Sequence, residues 1–115
     1  MFEISVNIIN LEVRMVENKY NLIANSKLHD YKLCDINVSY NKAMINMFLN
    51  NSKGKEVVIN FEDFSIFKIS HEEKWGMGTY ICSSSVESDA ENLGYSVEIE
   101  LNSGDLIQIK CHKIV

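Results

Sequence analysis

The sequence predicts an all-β fold: one domain over residues 1–115, an antiparallel β-sandwich or a partly open barrel, with about eight to ten short strands. Three observations lead there. Apolar residues recur with a period of two through most of the chain, as expected where one face of a strand is buried and the other is wet. The candidate strands are separated by Asn, Ser, Gly and Asp clusters rather than by helix-length segments, which favours antiparallel sheets. The last stretch, 95–115, reads as a hairpin. Tyr95, Val97, Ile99 and Leu101 alternate with polar residues, Ser103-Gly104-Asp105 makes the turn, and Ile107, Ile109 and Cys111 alternate on the way back. A lone hairpin is marginal in water, so the remaining chain must cover its apolar face.

In chain order, Phe2, Ile4, Val6 and Ile8 alternate with polar residues, and Leu11, Val13 and Met15 repeat the pattern one residue out of phase. The shift near Ile9-Asn10 reads equally as a break between two strands or as a bulge in one. Glu17-Asn18-Lys19 reads as a turn, Tyr20 to Ala24 as a short strand, and Tyr31 to Tyr40 as a longer one. Ala43 to Leu49 fits both a helical stripe and an alternation. Its seven residues are short for a helix, which favours a strand closing on a turn at Gly54. Val57 to Phe61 and Phe64 to Ile69 have the β-branched and aromatic composition of strands. The segment His71 to Gly78 is a loop. Thr79 to Val86 is a strand with Tyr80, Cys82 and Ser84 on one face, and the polar stretch Glu87 to Gly94 includes one helical turn at Ala90 to Leu93.

Composition narrows the function classes. Hydrophobic residues make up 46% of 115, enough for one core. With no long apolar run and no basic-then-apolar leader, the expectation is a cytoplasmic protein that neither spans nor crosses a membrane. The odd count of cysteines (Cys34, Cys82, Cys111) favours reduced, half-buried thiols over a disulfide. Charge is unevenly spread: residues 56–105 hold eleven acids against two lysines, whereas the rest of the chain is net basic. Such a molecule steers cationic partners and repels phosphate backbones, so nucleic acid is not expected as a direct ligand.

Motifs for catalysis are thin. His71-Glu72-Glu73 lacks the second histidine of a zinc-protease helix, Ser83-Ser84-Ser85 lacks the glycines of a nucleophile elbow, and no cysteine or histidine pairing has ligand spacing. Cys111 and His112 are strand neighbours and face opposite ways. The expectation is no catalytic residue, no metal and no cofactor. The carboxylate pairs Glu62-Asp63 and Glu72-Glu73 are the candidates if the protein is an enzyme after all.

The most distinctive loop is Lys74-Trp75-Gly76-Met77-Gly78. Trp75 has two readings: a side chain folded back over one end of the core, or an exposed aromatic anchor inside an acidic rim, the composition of a binding hot spot. The segments Val57-Val58-Ile59-Asn60-Phe61-Glu62-Asp63-Phe64, Lys74 to Gly78, and Glu98-Ile99-Glu100-Leu101-Asn102-Ser103-Gly104-Asp105-Leu106-Ile107-Gln108-Ile109 resemble small bacterial β-rich immunity proteins of contact-dependent inhibition and related polymorphic toxin systems. The resemblance covers the C-terminal half; Gly78 stands where such proteins often carry serine. It implies a non-enzymatic inhibitor of one cognate toxin domain, frequently a basic nuclease, whose active site it blocks. Glu72, Glu73, Trp75, Glu87, Asp89 and Glu91 are the expected contacts, because they lie in the two longest loops of the acidic half. A monomer is expected, since Glu3 and Asn7 discourage pairing along the Phe2–Ile9 edge. The rival reading is a small-molecule or carbohydrate-binding module, with Tyr31, Tyr40, Tyr80, Tyr95 or Trp75 as the stacking ring.

Overall fold

A computed structural model of the chain describes residues 18–91 and 93–115. The expected strands at Phe2–Ile8 and Leu11–Met15 lie outside the described residues, as does part of the helical turn expected at Ala90 to Leu93.

The described chain is a short helix followed by eight strands. These are α1 (Lys19–Ala24), β1 (Lys32–Ser39), β2 (Met44–Asn50), β3 (Glu56–Glu62), β4 (Ile66–Ile69), β5 (Ile81–Asp89), β6 (Gly94–Leu101), β7 (Leu106–Cys111) and β8 (Lys113–Ile114). They form two four-stranded sheets, in the order β1-β2-β3-β8 and β4-β7-β6-β5, and every pairing is antiparallel. Neither sheet closes on itself, so of the two expected architectures the structure is the sandwich.

The core lies between the sheets. Ile45, Met47 and Leu49 of β2 and Ile59 and Phe61 of β3 meet Val97, Ile99 and Leu101 of β6 and Ile107, Ile109 and Cys111 of β7, all buried. Each strand contributes alternate residues, because successive side chains leave opposite faces of the pleat. The ambiguous stretch 43–49 is therefore a strand, its burial alternating residue by residue along β2.

Tyr20 to Ala24 is helical, not a strand. Asn18 caps it, its side-chain oxygen accepting from Tyr20 N (2.9 Å) and Asn21 N (3.3 Å). Leu22 and Ile23 are both buried; adjacent residues cannot share one face of a strand but do share a helical flank. The helix is stitched to β5, where buried Ser84 donates to Ile23 O at 2.8 Å and Ser26 donates to Ser84 O at 2.8 Å. Ser84 is thus a structural hydroxyl.

Two further expectations change. A β-bulge between Ile81 and Ser83 shifts the parity of β5, so buried Ile81 and buried Ser84 point inward together while Cys82 is exposed. That one extra residue breaks the facing expected for Thr79 to Val86, putting Ile81 and not Cys82 on the side of Ser84. The thiols are not uniformly half-buried: Cys34 and Cys82 are exposed, Cys111 is buried, and all three are free. Burial pushes the Cys111 thiol up to about 11.

The final hairpin forms as read through Cys111. The chain then crosses to the first sheet, where Lys113 and Ile114 pair with Glu62 and Phe61 of β3. Backbone bonds from Leu33 N to Thr79 O (2.8 Å) and Ile81 N to Tyr31 O (2.9 Å) tie the sheets at another corner.

Candidate functional site

The β6–β7 turn organises one end of the molecule. Gly104 holds a positive φ of 91°, and the Asp105 backbone returns to Leu101 through Leu101 N to Asp105 O at 2.9 Å. The buried Asp105 carboxylate turns away from solvent and collects four donors. Ser103 Oγ (2.7 Å) and Glu73 N (3.1 Å) donate to one oxygen; Glu72 N (2.6 Å) and Ser70 Oγ (3.1 Å) donate to the other. The Ser103 hydroxyl, then the Glu72 amide, hold its pKa down to about 2. Ser70 in turn accepts from Leu106 N at 3.0 Å. One side chain therefore pins residues 70–73, including Glu73, which sits at a φ of 49°.

From that anchor the loop runs over the turn. Trp75 N donates to Ser103 O at 3.1 Å, and a methyl group built on Gly104 would meet the Trp75 ring at 2.7 Å. The indole lies across Gly104 with its other face bare, at 74% exposure, and Met77, two residues on, is 78% exposed. Of the two readings, Trp75 is the exposed one, though seated on the turn and not projecting freely. Glu72 and Lys74 approach to 3.9 Å, as do Glu73 and His71, all near the surface, where such pairs contribute little to stability.

The other expected contacts stand elsewhere. Glu87 and Asp89 are strand residues of β5, not loop residues, and Glu91 is in the β5–β6 hairpin tip. That tip and the Trp75 loop lie at opposite ends of β6, roughly 25 Å apart at ~3.4 Å per residue. Glu72, Glu73 and Trp75 are brought together; Glu87, Asp89 and Glu91 form a second group. Between them run Glu98 and Glu100, which alternate outward on β6 against buried Val97, Ile99 and Leu101. Glu98 and Glu100 are not among the expected contacts, although their alternation with Val97, Ile99 and Leu101 is the signal that they line the open face. Asp105, one of the eleven acids of residues 56–105, is buried and does not belong to this surface.

The tyrosines do not form one platform. Tyr40 is 89% exposed at the β1–β2 turn, and Tyr95 packs on Tyr20 with ring centroids 5.3 Å apart. Tyr95 also borders a groove of about 280 Å³ with Asp63, Lys110 and His112. Among the described residues no group of three His, Cys, Asp or Glu is placed to hold a metal ion, and no helix is long and apolar enough to cross a membrane. No protein-family model matches this chain, and no curated protein matches it.

Proposed function

We propose that this protein is a non-enzymatic, cytoplasmic inhibitor of the immunity type, which neutralises a cognate bacterial toxin domain by laying an acidic surface over its cationic active-site cleft. The observation that carries this reading is Trp75, bare on one face yet fixed by Gly104 beneath it and by the Asp105 carboxylate behind its loop. A large aromatic held in place loses little conformational freedom on binding, which is what a central anchor requires. Glu72 and Glu73 rim it, and Glu100, Glu98 and Glu87 continue the negative charge along β6 and β5 to Glu91 at the hairpin tip. A nuclease that binds phosphates with lysine and arginine would meet carboxylates in their place.

The first test is whether the gene directly upstream encodes a secreted protein with a C-terminal toxin domain; the second pairs the purified chain with that domain. Reversing Glu72 and Glu73 to lysine should slow association about tenfold at low salt while leaving dissociation nearly unchanged. Trp75→Ala should speed dissociation by roughly thirtyfold, the equivalent of about 2 kcal/mol. Unaltered kinetics in both variants would remove this end of the molecule from the interface. A second reading, a small-molecule module, is favoured by the groove at Tyr95, Asp63, Lys110 and His112. A ligand panel read by thermal shift, with His112→Ala abolishing any hit, tests it.

A further inference from the structure

The outer face of the second sheet, which shares Glu87, Glu98 and Glu100 with the acidic surface proposed above, carries a second pattern away from the Trp75 end. Its register places three rows across the strands. Ile66, Lys110, Ser96 and Glu87 form one row, Lys68, Gln108, Glu98 and Ser85 the next, and Leu106, Glu100 and Ser83 the third. The two lysines therefore sit on β4 and β7, and the three glutamates on β6 and β5. All of this is solvent-facing: Lys68, Lys110, Glu87 and Glu98 are exposed, while the alternating residues behind them on β6 and β7 are buried.

Opposite charges share this face without closing into ion pairs among the described residues. Among the described residues neither lysine joins an ion pair; Glu98 accepts from Gln108 Nε2 and Glu100 from Ser83 Oγ, each at 3.3 Å. The spaces between the charges are hollow because small serine side chains form their floor. One groove of about 380 Å³ lies at Ser83, Ser85, Glu98 and Glu100, and another of about 260 Å³ lies at Ser96, Glu98, Lys68 and Lys110.

We propose that this face is a self-complementary surface on which two copies of the chain associate, sheet against sheet, about a two-fold axis parallel to the strands. That axis superposes β7 of one copy on β6 of the other, and β4 on β5, keeping the rows in line. Lys110 then comes down on Ser96 of the second copy, between Glu98 two residues along the strand and Glu87 across from it. Lys68 comes down on Ser85, between the same two glutamates from the other side. Each lysine enters a serine-floored hollow with a carboxylate on either hand, and symmetry repeats the arrangement. Turning the axis across the strands would instead stack lysine columns on lysine columns. Four strands at ~4.8 Å and about five residues at ~3.4 Å give a patch well below the roughly 800 Å² per partner of a standard interface. The dimer is consequently weak, reversible and sensitive to salt.

Charge swapping decides the matter. Sedimentation equilibrium of the whole chain at low salt should give a monomer–dimer constant that weakens at least about tenfold in about 0.5 M NaCl. The variant Lys68→Glu/Lys110→Glu and the variant Glu87→Lys/Glu98→Lys should each be monomeric, because every contact in their homodimers is like-charged. Mixed in equal amounts they should form a heterodimer, since all four contact sets become complementary again. Circular dichroism and thermal unfolding check that both variants keep the fold. A wild type that stays monomeric up to about 1 mM at low salt overturns the proposal. So does a dimer that survives either swap, or a pair of swapped variants that fail to associate when mixed.

Discussion

At the β6–β7 turn the chain is tied in place by a buried carboxylate, whereas at the β5–β6 hairpin, the other end of the same sheet, strand pairing runs on to Asp89 and Gly94 and the turn follows directly. Both ends are short, acidic and glycine-bearing in sequence. At the first, Asp105 gathers donors from Ser70, Glu72, Glu73 and Ser103 and so shapes a loop that begins 35 residues earlier. At the second, backbone fit matters more: a methyl group on Gly94 would lie 2.6 Å from the Cys111 carbonyl oxygen. The same residue type, an acid, is architecture in one place and surface charge in the other. The difference is whether backbone amides from a distant segment converge on it.

The sharpest way to break this contrast is Asp105→Ala. It strands two loop amides and two hydroxyls at once, and should lower the melting temperature more than removal of any other acid among the described residues. Amide exchange at Glu72 and Glu73 should rise at least about tenfold, with the β5–β6 hairpin unaffected.

Next come the two glycines. Gly94→Ala meets a backbone carbonyl that cannot retreat, and should cost about 2–3 kcal/mol in urea unfolding. Gly104→Ala meets the Trp75 ring and pushes it off its seat toward solvent, with no backbone in the way. Its cost, about 1–2 kcal/mol, comes from placing an L residue at a φ of 91°. Trp75 fluorescence should change in the Gly104 variant and stay constant in the Gly94 variant.

Acid titration refines the comparison further. Asp105 is depressed from 3.8 to about 2, so its contribution is complete above about pH 4 and is lost as pH falls through about 2. The stability gap between the wild type and Asp105→Asn should therefore narrow across that interval, and a gap constant from pH 4 to 2 would contradict the assigned pKa. Glu91→Lys, at the hairpin tip, should change stability by no more than about 0.5 kcal/mol at neutral pH.

Strands were legible wherever burial alternates, since a period of two is imposed by the pleat itself. That rule recovered the final hairpin; β3 was legible from its β-branched and aromatic composition, and β2 only from the shortness of 43–49 and the turn at Gly54, because the segment fits both periods. The rule failed at Tyr20 to Ala24, where a six-residue helix is too short to display its own period and depends on Asn18 and on packing against β5. It also failed at Cys82, where one bulged residue inverts the facing of everything before it. At the candidate site, the sequence singled out Trp75, Glu72 and Glu73 by composition. It gave no sign that Glu87 and Asp89 are strand residues at the far end.

What the amino-acid order determined alone was an all-β, antiparallel class with sandwich and partly open barrel both still open, the final turn at Ser103-Gly104-Asp105, and a negative balance concentrated in residues 56–105. These depend on neighbours in the chain: alternation, turn propensity and charge count. Tertiary structure decided that Asp105 is a buried anchor, that Trp75 lies bare across Gly104, and that lysines and glutamates divide one face between paired strands. Each of those outcomes depends on groups tens of residues apart meeting in space, and no local rule of pattern or propensity carries that information.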